Sequence, residues 1–214
     1  MGFLANGIAC LGPSTFVSLA FCLGLVATAS CSFVRLDDDN FLRVSRIDGA
    51  GFGSVGFWCY RQVNSDSRYD YPSLVEDVWD DKFEAARALG MTANCIGFVV
   101  WLIYLCAGCM RFPPTIFLAA GCLCFCACLF EGLKFMIFKS SFFCDGDNRG
   151  CELDTGGRCS ICAIVFWFVA WCMTMAHVKE RMDADKDEDG EDASAGEVEE
   201  EAPAGGNDAE KGGD

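Results

Sequence analysis

Charged side chains are absent from residues 1–34, and absent again from 88–110, 112–130 and 159–178. A helix rises about 1.5 Å per residue, so roughly 20 apolar residues cross a hydrocarbon layer about 30 Å thick. All four runs reach that length. The pattern predicts a short N-terminal segment (1–13) and four membrane-spanning helices at 14–34, 85–110, 111–138 and 159–178. A large outer loop (35–84), a Cys-containing outer loop (139–158) and an acidic tail (179–214) complete the chain. The fold class expected is all-α membrane, a four-transmembrane-helix bundle with a small extracellular antiparallel β-sheet in the first loop.

The run edges agree with this layout. Pro113 and Pro114 precede the third helix, where a missing N–H costs little. Arg87, Arg111, Arg158 and Lys179 stand at run edges, where long cationic side chains snorkel to headgroups. The first run reads as a retained helix, because a cleaved signal peptide wants a positive start and the first basic residue is Arg35. Gly2 lacks the Ser or Thr wanted at position 6 for myristoylation.

Polarity in the loops has a different period. Residues 41–47 partly alternate, and residues 53–60 are glycine-punctuated and β-prone. Turns are expected at 37–40 and at Asp48-Gly49, giving two or more antiparallel strands. Residues 77–87 read as a helix lead-in, with Asp80 or Asp81 near its N-terminus. Asp145, Asp147, Asn148 and Glu152 faintly suggest a calcium loop, but the closing Glu of a calcium hand is missing and a solvated turn is expected.

Composition separates two parts of the molecule. The chain is 52% hydrophobic yet carries a formal charge of −15. Residues 177–214 hold 15 acidic and 4 basic side chains, so −11 of that charge lies in the tail. The tail is expected to be disordered and solvated. The sign of the charge excludes nucleic-acid binding. There are 16 cysteines, and those of the loops and their edges are Cys31, Cys59, Cys144, Cys151 and Cys159, whereas the tail has none. That contrast places the loops on an oxidising side and both termini in the cytosol, with the plasma membrane or secretory pathway as the compartment. Cys144, Cys151 and Cys159 are the candidates to staple the third loop, which is too small for a core of its own. One histidine rules out an imidazole metal cluster within one chain, and no metal or cofactor is expected.

Some chemistry lies inside the apolar runs. Glu131 and Lys134 stand at i, i+3 and can pair on one helix face. A proton or ion pathway would want more ionisable groups, and the other runs offer only His177 at an edge. Cys122, Cys124, Cys126 and Cys128 alternate with period two, which scatters them around a helix as small packing residues. Cys106 and Cys109, at the expected cytosolic end of the second helix, are palmitoylation candidates. Cys159 and Cys162 form a Cys-x-x-Cys at the start of the fourth helix, which resembles that of four-helix thiol oxidoreductases like vitamin K epoxide reductase. A redox-active pair there is the alternative function, although the close cysteine pair of that family's first loop is not present.

Two further strings carry a resemblance, Gly56-Phe57-Trp58-Cys59 in the first loop and Ala85-Ala86-Arg87-Ala88-Leu89 at the start of the second helix. With four spans and a long strand-bearing first loop, residues 1–178 resemble the claudin and peripheral-myelin-protein superfamily. The resemblance implies a left-handed four-helix bundle capped by an outer β-sheet. It implies a non-enzymatic protein that makes lateral or cell-surface protein contacts or modulates a partner channel. The partners expected are the lipid bilayer and a second copy or another membrane protein, with no small-molecule substrate. The chain departs from the family in its cysteine spacing. Cys59 follows Trp58 at once and the next cysteine, Cys95, lies inside the second helix, so Cys59 is left to pair with Cys31 or with a third-loop cysteine. Trp58 is expected to anchor the sheet at the interface and Arg87 to clamp it.

Overall fold

A computed structural model describes residues 2–36, 52–62, 67–71, 80–108, 110, 112–140, 144 and 151–195. Its contacts divide the chain into two units, Met1–Val178 and Lys179–Asp214. Four helices are long and apolar enough to cross a membrane. They are α1 (Gly2–Ala29), α2 (Asp81–Ala107), α3 (Pro114–Leu133) and α4 (Thr155–Ala195). A 3-10 helix, Lys134–Lys139, prolongs α3.

The helix ends have local causes. The Asp80 side chain caps α2 by accepting from the Phe83 N–H at 3.0 Å, so Asp80 rather than Asp81 is the cap. Asp80 also accepts from Ser140 Oγ at 2.9 Å, and Lys82 Nζ donates to the Lys139 carbonyl at 2.7 Å. These bonds tie the start of α2 to the end of the 3-10 helix. Pro114 opens α3 in its first turn.

The first and the last helix depart furthest from the expected spans. The first helix takes in residues 2–13, with Pro13 in its interior, and stops at Ala29 instead of residue 34. It stops because the next residues must be extended to feed a strand and bring Cys31 into a disulfide. The last helix runs on to Ala195, so residues 179–195 are helical where disorder was expected. Elongating an existing helix adds one hydrogen bond per residue fixed and needs no new nucleus.

The sheet is five-stranded and antiparallel throughout, in the order β4-β3-β2-β1-β5. Its strands are β1 (Val34–Leu36), β2 (Phe52–Val55), β3 (Cys59–Gln62), β4 (Arg68–Asp70) and β5 (Cys151–Leu153). Residues 53–60 thus form a hairpin rather than one strand. The sheet is also not confined to the first loop. The third loop supplies β5, which pairs with β1 in the register Val34↔Leu153 and Leu36↔Cys151. A loop too small for its own core buries its backbone groups by completing another's sheet. The strand expected at 41–47 lies outside the described residues.

Two cores result. Under the sheet, Phe33, Val34, Val55, Phe57, Phe83 and Ile137 are fully buried. Within the bundle, α2 packs against α1 and α3. The ring of Trp167, from α4, is 2% exposed and lies against Gly97 of α2, where an added Cβ would stand 2.8 Å from the indole. Small residues at such crossings let helix backbones approach closely.

Candidate functional site: a five-stranded sheet stapled to the bundle, and a buried ion pair

Residues 30–33, between α1 and β1, form the junction. Three glycines press on this segment. A Cβ on Gly56 would lie 1.9 Å from the Ser30 carbonyl oxygen. A Cβ on Gly157 would lie 2.8 Å from the Phe33 oxygen, and one on Gly156 would lie 3.0 Å from the Ser32 oxygen. The Gly156 N–H donates to that Ser32 oxygen at 2.7 Å. The absence of side chains thus lets the β2–β3 hairpin and the start of α4 close on the same stretch of backbone. The Cys31–Cys59 disulfide locks the hairpin to it.

On this frame Phe57 points inward and is fully buried, while Trp58 is 38% exposed. The Arg87 guanidinium stacks on the Trp58 ring, 3.6 Å from its centroid. The two strings that carried the sequence resemblance therefore meet in space. Tyr71 donates its hydroxyl proton to the Gly56 carbonyl at 2.7 Å. Burial holds the Tyr71 phenol well above its ordinary pKa; the Arg87 charge opposes that shift and Tyr60 adds to it. Ser54 Oγ donates to Asp154 Oδ2 at 2.7 Å, joining the hairpin to the segment that precedes α4.

The cysteines sort as follows. Cys31 pairs with Cys59, and Cys144 pairs with Cys151. Cys159, expected among the stapling cysteines, is a free thiol, because the seven-residue separation of Cys144 and Cys151 already closes the loop onto β5. Cys159 packs instead against the core under the sheet. Cys162 is free and exposed on α4, so no bond joins Cys159 to Cys162. Cys106 is exposed at the far end of α2 from the sheet, and Cys109 lies outside the described residues. On α3, Cys124 is buried and Cys122 exposed, the scatter that period two on a helix produces. Of the faint calcium residues, Asp145, Asp147 and Asn148 lie outside the described residues and Glu152 is in β5.

Glu131 and Lys134 form an ion pair, with side chains 1% and 0% exposed. Ser160 Oγ of α4 donates to the same Glu131 Oε1 at 2.9 Å. The Phe33 ring centroid lies 5.6 Å from Lys134 Nζ. A Cβ on Gly24 of α1 would meet Asn94 Oδ1 of α2 at 3.2 Å and Glu131 Oε2 at 3.8 Å. All four helices thus supply a residue at this level. Sequence reading found the charged pair and missed Thr28, Asn94 and Ser160. The signal available was that each is a hydrogen-bonding side chain within an otherwise apolar run.

Nearer the other end, the Tyr104 hydroxyl bonds Thr174 Oγ1, which passes its own proton to the Ala170 carbonyl at 2.7 Å. Among the described residues no group of three or more His, Cys, Asp or Glu side chains could hold a metal ion. No protein-family model matches the chain, and no curated protein matches it.

Proposed function

We propose that the protein is a four-span integral membrane protein, similar in plan to the claudin and peripheral-myelin-protein superfamily. Its outer sheet makes lateral or cell-surface protein contacts or modulates a partner channel. The observation that supports this reading is the shared sheet. Strands from two separate loops, each with its own disulfide, are joined at one end of the bundle. Disulfides persist in oxidising compartments, so that end is the extracellular or lumenal one, and Cys106 and both termini are cytosolic. The compartment proposed is the plasma membrane or secretory pathway. Among the described residues, Trp58 and Tyr69 are large hydrophobic side chains that the sheet and its hairpin leave exposed.

The test is impermeant crosslinking on intact cells followed by native electrophoresis. The reading expects a homo-oligomer or partner adduct that Tyr69→Ser weakens and that Met91→Ala, on an exposed face of α2, leaves intact. A monomer in intact cells and in mild detergent would remove it.

A second reading, a membrane thiol–disulfide oxidoreductase centred on Cys159 and Cys162, draws on the free state of both thiols. Cys162→Ser separates the two readings. It would alter the redox state of a thiol reporter in the outer compartment under the second reading and leave it unchanged under the first.

A further inference from the structure

Around Glu131 the interior of the bundle holds more hydrogen-bonding capacity than its side chains satisfy. Glu131 Oε1 receives both the Lys134 ammonium and the Ser160 hydroxyl. Glu131 Oε2 is buried and has no partner among the described residues, and the same holds for the Thr28 hydroxyl. An ammonium carries three protons, and Lys134 has one carboxylate oxygen beside it. Its Nζ is likewise short of hydrogen-bond partners among the described residues. The spare groups are acceptor lone pairs on Glu131, donors on Lys134, and one donor and two acceptor lone pairs on Thr28.

These groups face two bare glycines. A Cβ on Gly90 would have as its nearest neighbours Thr28 Oγ1 at 3.6 Å and Lys134 Cδ at 3.7 Å. A Cβ on Gly24 would have Asn94 Oδ1 at 3.2 Å, with Glu131 Oε2 next at 3.8 Å. The contact at Gly24 is close, whereas Gly90 leaves room for a group of about methyl size beside Thr28 and Lys134.

The charge balance selects the occupant. A cation would gain the oxygens of Glu131, Thr28 and Asn94 but would meet the Lys134 ammonium. An anion would gain Lys134 but would meet the Glu131 carboxylate. The pair is neutral as a whole, so neither ion is favoured. The spare capacity is mixed, donor and acceptor together, and water, small and neutral, offers both. Buried water makes about three hydrogen bonds to polar groups that the fold leaves unmatched. We infer that the buried Glu131–Lys134 pair is a binding site for internal water, which bridges Glu131 Oε2, the Lys134 ammonium and the Thr28 hydroxyl. Water held there links α1 to α3 and its 3-10 extension through hydrogen bonds that direct contacts do not make.

The test is infrared spectroscopy of the full chain in lipid bilayers, in ordinary water and in water enriched in heavy oxygen. The wild-type protein is expected to show an isotope-shifted O–H stretch of internal water. Glu131→Leu with Lys134→Met should abolish it. Thr28→Val, a nearly isosteric change, should shift the band while leaving the helical circular dichroism unchanged, and it keeps the test decisive if the double variant fails to fold. A wild-type protein without such a band, or a band that Thr28→Val leaves untouched, would overturn the inference.

Discussion

The Arg87 guanidinium stacks on the Trp58 indole at 3.6 Å, joining the second turn of α2 to the tip of the β2–β3 hairpin. A cation over a tryptophan face contributes about 0.5–2 kcal/mol, more as the pair is desolvated. Trp58→Leu and Arg87→Gln are each expected to destabilise the sheet, and the double variant by less than their sum. A double-mutant cycle from unfolding in a bilayer mimic should give a coupling of about 0.5–2 kcal/mol. Arg87→Lys should recover only part of it, because an ammonium lacks the planar face that stacks. Zero coupling would mean that the stack adds nothing.

Gly56 is required for a different reason. Its missing Cβ would fall 1.9 Å from the Ser30 oxygen and 2.7 Å from the Cys31 Cα, both backbone atoms. That backbone cannot retreat, since Cys31 is bonded to Cys59 in the same hairpin. Gly56→Ala is expected to cost more than the roughly 1–3 kcal/mol of ordinary overpacking. Gly132→Ala is the control. Nothing lies within 4 Å of a Cβ there, and removing this glycine from the last turn of α3 should add up to about 0.5–1 kcal/mol. Equal effects of the two changes in thermal unfolding would contradict the packing described.

The two disulfides should differ in their contribution. The Cys31–Cys59 separation is 28 residues and that of Cys144–Cys151 is 7. Loop-closure entropy then gives about 3–4 kcal/mol for the first and about 2–3 kcal/mol for the second. Cys31→Ser is therefore expected to lower the midpoint of unfolding more than Cys144→Ser. Non-reducing peptide mapping should return these two pairs and an alkylatable Cys159. A crosslinked Cys159 would sink the assignment.

Legibility in the sequence followed the range of the interaction. Four apolar helices and the α2 cap depend on neighbours along the chain, and the uncharged runs reveal the helices while capping chemistry narrows the cap to Asp80 or Asp81. The pairing of β5 with β1 joins residues more than a hundred positions apart, and a three-residue strand leaves almost no periodicity to read. The helix end at Ala29 likewise answers to the Cys31–Cys59 bond and to the glycines of two distant segments. Ser160 became visible as a partner of Glu131 only once α4 was laid against α3. Conversely, i, i+3 spacing sufficed to pair Glu131 with Lys134, because the 3-10 helix that Lys134 begins continues the last turn of α3.

That ion pair carries an asymmetric expectation. Glu131→Gln leaves the Lys134 charge buried without its counter-charge and should cost about 3–5 kcal/mol. Glu131→Leu combined with Lys134→Met removes both charges with little change in volume, and replacements of that kind are often neutral or stabilising by about 1–4 kcal/mol. The double variant should therefore be more stable than Glu131→Gln in denaturant titration. The reverse order would show that the pair is held for net stability.

Tyr71 gives the sheet a pH dependence with a definite sign. Its hydroxyl donates to the Gly56 carbonyl at 2.7 Å, and burial raises its pKa well above the ordinary 10.0. Below pH of about 10 the phenol is protonated folded or unfolded, and its contribution is fully present. Above that pH the unfolded chain releases the proton while the folded protein keeps it. The unfolded state then binds fewer protons, so stability falls as pH rises toward the folded pKa. One such group gives a slope of up to about 1.4 kcal/mol per pH unit. Tyr71→Phe should cost about 0.5–1.5 kcal/mol at neutral pH, for the lost hydrogen bond, and should flatten the alkaline slope by up to about 1.4 kcal/mol per pH unit. Denaturant titrations from about pH 8 to about pH 11 compare the two proteins, so that groups remote from Tyr71 cancel. Parallel slopes would show that Tyr71 ionises as easily in the folded protein as in the unfolded chain, contrary to its burial against Gly56.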